Sequence, residues 1–231
     1  MPSQRFELPV PHEIARVGAL FDAPSGATRA SALLFAHGAG IDMEHVWMST
    51  LCAALVARGF SVLRFRYPYM ERARREGKPM PPDRAPALED AHNAALDELA
   101  RRCPGRRRVL AGKSLGARMG SVIAAKGATA HGLVCFGYPL HPPQRPDKIR
   151  NEHFATLVQP ALFLQGTRDE FATPAEIELA LLRYSGRATL QLIDGGDHSF
   201  EMLKSARRSA AEVLDDVAAR VEAWERETWP E

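Results

Sequence analysis

The chain has 231 residues, 45% of them hydrophobic, with 17 glycines and 17 prolines scattered without period, which predicts a single core-forming domain over residues 1–231. A net charge of +2 argues against a nucleic-acid partner, and no apolar run approaches the ~18 residues of a membrane span. The three cysteines have neither metal-ligand nor disulfide spacing and read as reduced thiols of a cytoplasmic protein.

In chain order, "RFELP" and "ARVGALFDAP" predict an antiparallel pair at one sheet edge. From residue 30 onward short apolar runs alternate with helical patterns. Strands are predicted at 32–36, 61–65, 108–111, 132–136, 161–165 and 189–193, and helices at 46–58, 87–101, 114–126, 174–184 and 201–226. Thr173 is the expected N-cap of the fourth helix, with Pro174 in its first turn. This alternation implies a mostly parallel sheet covered by helices on both faces. Two proline-rich connections, 66–86 and 137–150, are too short for a cap domain and read as loops at the carboxyl edge of the sheet.

The stretch "RRRVLAGKSLGARMGSV" (106–122) fits two motifs. A phosphate-binding loop needs a glycine at position 107, where Arg107 stands, so that reading is poor. The alternative is a G-x-S-x-G turn that presents Ser114 between an apolar strand and an alanine-rich helix, with Gly112 and Gly116 where backbones must approach closely. Such a motif arises by chance about 6 times in 100 chains of this length, so it needs company.

Company is present. An acyl-transfer serine needs a base, and the base needs an orienting carboxylate, in the chain order Ser, Asp or Glu, His. Asp169 follows the strand "ALFLQ", and His198 follows "TLQLI" on a glycine-containing loop. Asp194 and Asp197 are rivals on the histidine's own loop, and Glu170 is a weaker neighbour. The turn "HGAG" (37–40) is expected to supply an oxyanion-binding N–H at Ala39, with Leu115 supplying the second and His37 bracing the turn. Lys113 is read as a solvated or packing lysine that points away from the reacting carbonyl. The site is expected to be shallow, bordered by Met43, Tyr67, Tyr138 and His141, with His45 more simply packing its own loop, and to favour short acyl chains.

The phrases "HGAGIDMEHVWM", "FRYPY", "AGKSLGARMGS", "GYPLHPPQRPDKIRNEH", "QGTRDEF" and "GGDHSF" together resemble the compact alpha/beta hydrolases over about residues 30–226. Within them the chain is similar to hydrolases related to the testis-expressed 30 protein and to dienelactone-hydrolase-like enzymes. The resemblance implies the alpha/beta-hydrolase fold, a sheet of about seven or eight strands without a cap. It implies Ser114 as nucleophile, Asp169 as acid and His198 as base, acting on a small-molecule acyl substrate with no metal or organic cofactor. Dienelactone hydrolases proper use a cysteine nucleophile, so serine at 114 argues against importing their substrate. A related subunit serves in a chromatin-modifying complex, which makes a non-catalytic scaffold the alternative expectation.

Overall fold

Every residue of β3 (Ser31–Ala36) is buried, and alternate side chains feed opposite layers. Ala32, Leu34 and Ala36 join one apolar cluster, Leu33 and Phe35 the other. A strand covered on both faces needs this unbroken apolar run, because successive side chains point to opposite sides. The computed structural model describes residues 3–230.

The other strands are β1 (Gln4–Pro9), β2 (Arg16–Asp22), β4 (Ser61–Phe65), β5 (Arg107–Lys113), β6 (Gly132–Phe136), β7 (Ala161–Gly166) and β8 (Ala188–Ile193). They form one eight-stranded sheet in the order β1-β2-β4-β3-β5-β6-β7-β8. The first two strands pair antiparallel with each other, and β2 pairs antiparallel with β4. All other pairings are parallel. The antiparallel edge pair and the six parallel strands match the sequence reading to within about two residues.

Helices α1 (Val46–Ala57) and α6 (Ala210–Thr228) cover one face, where Trp47, Leu51, Val217 and Trp224 pack on β3, β5, β6 and β7. The other face carries α2 (Pro68–Glu76), α3 (Ala85–Arg102), α4 (Leu115–Ala125) and α5 (Pro174–Leu181). Thr173 caps α5 as expected, in a reciprocal capping box with Glu176.

Two expectations are corrected. The connection 66–86 contains α2, which starts at Pro68 and ends at Gly77 in the left-handed conformation (φ 67°). The last helix begins at Ala210 rather than 201, because Ser209 and Glu212 form its capping box and the preceding segment holds only a short 3-10 turn at Lys204–Ala206. No helix among the described residues is long and apolar enough to cross a membrane, and no separate cap domain interrupts the layers.

Candidate active site

Strand β5 ends at Lys113, and α4 begins at Leu115, so a single residue makes the turn. That residue is Ser114, with φ 52° and ψ −112°. A non-glycine side chain there costs about 1–3 kcal/mol and persists only where the surroundings enforce it. They do so through glycine. A β-carbon on Gly112 would lie 2.2 Å from the Ala117 nitrogen, and one on Gly116 would lie 2.3 Å from the Ala36 carbonyl oxygen. The turn therefore packs helix onto strand at a distance only glycine permits, leaving the Ser114 side chain part-exposed at the carboxyl edge of the sheet.

Beyond that edge, the turns after β7 and β8 bring Asp169 and His198 to the serine. Ser114 Oγ lies 2.9 Å from His198 Nε2, and His198 Nδ1 lies 2.7 Å from Asp169 Oδ2. Neither rival carboxylate occupies that place. Asp197 accepts from the Ser199 and Glu201 N–H groups at 2.8 and 2.9 Å and so folds the histidine's loop.

Several side chains unnoticed in the sequence hold this row. Gln165 is fully buried, and its Nε2 donates to Asp169 Oδ2 at 2.7 Å. The Phe171 N–H donates to Asp169 Oδ1 at 2.8 Å. The Phe171 ring stacks on His198 with centroids 4.0 Å apart. Gly137 (φ 61°) leaves room for the pair, since a β-carbon there would lie 2.8 Å from the His198 carbonyl oxygen. Burial, opposed by the Asp169 hydrogen bond and reinforced by the Lys113 charge, lowers the His198 pKa, which favours the neutral imidazole.

Of the two expected readings, Lys113 takes the packing one and not the solvated one. It is buried, its Nζ donates to the His198 carbonyl oxygen, and its charge sits 5.6 Å from the Trp47 ring centroid. Burial brings its pKa down to about 8, against the pull of Asp169 and Asp197.

The HGAG turn closes over the serine from β3. A β-carbon on Gly38 would lie 3.6 Å from the Ser114 β-carbon. His37 braces the turn, as expected: its Nδ1 donates to the Gly38 carbonyl at 2.8 Å, and its Nε2 accepts from the Tyr67 N–H at 3.1 Å. Burial lowers its pKa to about 4, so the ring is neutral. The Tyr69 hydroxyl donates to the Ala39 carbonyl at 3.1 Å. Because a trans peptide points its N–H opposite its C=O, holding the Gly38 carbonyl inward turns the Ala39 N–H outward. Neither the Ala39 nor the Leu115 N–H donates to a protein acceptor among the described residues.

The expected pocket border is corrected. Met43, Tyr67 and Tyr138 are fully buried and His141 nearly so. Large aromatics after strand ends bury their rings here. Tyr67 packs against Phe65 and His37 and bonds His92 at 3.0 Å. Tyr138 packs between Phe154 and Phe163. Met43 lies in the loop that Arg64 holds by its carbonyl at 2.9 Å, and His141 faces Glu176 at 3.4 Å. His45 caps α1, accepting from the Trp47 N–H. An apolar groove of about 330 Å³ instead opens beside the histidine loop, between Ile41, Val46, Trp47, Phe200 and Leu214. Among the described residues no group of three or more His, Cys, Asp or Glu could hold a metal ion.

A family model described as an alpha/beta hydrolase domain matches residues 29–226. The chain belongs to the alpha/beta hydrolase family. The hydrolase is similar in fold to an alpha-beta serine hydrolase homologue from Coxiella burnetii (TM-score 0.75, 19% identity), with 96% of this chain and 98% of that one covered. It is likewise similar to a dienelactone hydrolase from Anabaena variabilis (TM-score 0.73, 20% identity, 99% of each chain covered). A third likeness is to a serine hydrolase without lid from Xanthomonas campestris (TM-score 0.72, 20% identity), covering 100% of this chain and 98% of that one.

Proposed function

We propose that this hydrolase is a serine esterase that cleaves small carboxylic esters through Ser114, His198 and Asp169. The observation that carries the reading is the unbroken row from Ser114 Oγ to His198 Nε2 and from His198 Nδ1 to Asp169 Oδ2, at 2.9 and 2.7 Å, mounted on a strained turn. With Asp169 accepting from Nδ1–H, Nε2 presents its lone pair to the serine hydroxyl. As Ser114 Oγ attacks the ester carbonyl, its proton moves to Nε2, and the imidazolium is stabilised by Asp169. The Leu115 and Ala39 N–H groups, which lack acceptors among the described residues, bind the oxyanion that forms. The imidazolium then protonates the departing alkoxide, leaving an acyl-serine. Water, deprotonated by the same nitrogen, releases the acid and restores the serine. No step calls on a metal or an organic cofactor. The lidless carboxyl edge and the esters' small size are matched in this reading, so rates should fall for long acyl chains.

Labelling with a fluorophosphonate probe tests the proposal. The wild type should label and Ser114→Ala should not, with unchanged circular dichroism. Ester hydrolysis should drop to background in the same variant, because the three side chains work as a unit. Labelling of Ser114→Ala at the wild-type level would overturn the assignment, and a folded wild type that neither labels nor cleaves esters would favour the scaffold.

A further inference from the structure

Arg118 lies one turn beyond Ser114 on α4, its N–H donating to the Ser114 carbonyl at 3.0 Å. Helical side chains lean toward the N-terminus of their helix, so that of Arg118 covers the first turn of α4, the turn that follows Ser114. Its guanidinium is within electrostatic reach of Tyr67 and Tyr138, which follow the strands on either side of the β3–β5 pair.

A second arginine is delivered to the same place. Arg150 is pinned by its backbone: its N–H donates to the Leu140 carbonyl at 2.8 Å, and its own carbonyl accepts from the Tyr138 hydroxyl at 3.2 Å. That hydroxyl also lies 3.4 Å from Ser121 Oγ, which donates to the Arg118 carbonyl at 2.8 Å. Ser121 Oγ is engaged again by His153 Nε2 at 2.8 Å, and burial takes the His153 pKa down to about 4, so it adds no charge. Tyr138, Ser121 and His153 are thus uncharged and already hydrogen-bonded to one another. Among the described residues, neither guanidinium takes part in those bonds.

Arg118 Nε is buried without any hydrogen-bond partner among the described residues. Neither arginine forms a salt bridge there, and Glu152 is the acidic group in electrostatic range. Burial first, and the like charge of Arg150 second, disfavour the Arg118 cation. A half-buried cation with a second cation in range, and with no ion pair or Nε partner among the described residues, gains from an anion that completes it. Planar guanidinium groups are completed best by carboxylate or phosphate oxygens, which they bind through paired N–H donors.

We propose that Arg118 and Arg150 form an anion-binding subsite beside Ser114, so that the ester cleaved there carries a carboxylate or phosphate on its acyl portion. The proposal rests on Ser114 being the nucleophile, and the test separates the two. Ethyl hydrogen glutarate and ethyl pentanoate share an acyl length and differ in a terminal carboxylate against a methyl group. Their hydrolysis is followed by proton release in the wild type, Arg118→Lys and Arg118→Met, with Arg150→Met in place of the last should it not fold. In parallel, calorimetry measures binding of glutarate and of inorganic phosphate to Ser114→Ala, with and without Arg118→Met. The wild type should prefer the glutarate ester in kcat/KM, and Arg118→Met should cut that preference about tenfold or more, with Arg118→Lys between. Ser114→Ala should bind at least one anion and lose it with Arg118→Met; the tighter of the two names the oxyanion. Ser114-dependent cleavage of ethyl pentanoate, with no anion preference and no anion binding, overturns the subsite and leaves the esterase standing. Arg118-dependent anion binding without hydrolysis of either ester upholds the subsite and overturns the nucleophile.

Discussion

The two ends of the central strands both bury charge, and they do it differently. At the amino end, Arg29 pairs with Glu222 and, at 2.8 Å, with Glu225, which also accepts from Ser31 Oγ at 2.7 Å. Arg58 joins them through Glu222 at 3.6 Å and pairs separately with Asp215 at 2.7 Å. Cations and carboxylates there complete one another. At the carboxyl end, the buried ammonium of Lys113 meets a backbone carbonyl instead of a carboxylate, and the serine beside it sits at positive φ. Cavity size points the wrong way: a cleft of about 530 Å³ lies at the amino end, among Arg29, Arg107 and Trp229. Incomplete pairing and backbone strain, more than burial or hollowness, mark the end where we propose the chemistry.

The comparison breaks most sharply at Asp169. Asp169→Asn keeps the volume and can still accept from the Phe171 N–H, but it offers His198 Nδ1 an amide in place of the carboxylate. The imidazole is then free to adopt the wrong tautomer, and kcat should fall about 10⁴-fold, with a stability loss of about 1–3 kcal/mol because the new amide NH2 faces the buried Gln165 donor. A loss under tenfold would mean that another carboxylate orients His198.

Strain at the serine turn is tested by Gly116→Ala. The added methyl would lie 2.3 Å from the Ala36 carbonyl oxygen, a backbone atom that cannot swing aside. Destabilisation of about 3 kcal/mol is expected in a urea titration, together with lost activity as Ser114 shifts. Wild-type stability would show that the helix and strand can separate cheaply.

How far these features are legible in sequence differs with their physical origin. The strand series, the serine turn and the places of Asp169 and His198 follow from periodicity and chain order, which are local signals. Helix α2 was equally legible, with Pro68 at its start and Gly77 at its end, but prolines elsewhere in the same connection obscured it. Ser209 and Glu212 likewise announce the start of α6. Tyr67 and Tyr138 were misplaced because a position after a strand does not say which way a ring turns. Lys113 shares the parity of Val109 and Ala111, which face the α1 and α6 layer. Parity gives the face, yet only the tertiary structure shows that the His198 loop covers the ammonium.

At the balanced end, Arg29→Met should leave the Glu225 carboxylate buried with only Ser31 beside it. Removing one partner of a buried pair costs about 3–5 kcal/mol, and partial exposure of Glu222 reduces this to about 2 kcal/mol. The cost should appear in the urea midpoint while kcat/KM at 25 °C stays at the wild-type value. A selective loss of activity without loss of stability would erase the distinction between the two ends.

The smallest and most discriminating effect is expected at Lys113. Lys113→Met preserves length, removes the buried cation and leaves no carboxylate unpaired, so stability should hold or rise. Activity should fall about tenfold as the His198 loop loses its charge-assisted anchor. The pH profile supplies the sign. In the proposed mechanism His198 works as the neutral base, and its pKa is lowered from the ordinary value near 6.5, first by burial and in part by the Lys113 charge. The acid limb of kcat/KM in the wild type therefore lies below about 6.5, and it should move to higher pH in Lys113→Met, where the imidazolium is no longer repelled. Lys113 itself loses its proton near pH 8, so the wild type should show an alkaline decline there that the variant lacks. An acid limb unmoved by the substitution would mean that Lys113 is only packing, and that the incomplete pairing at this end has no part in tuning the base.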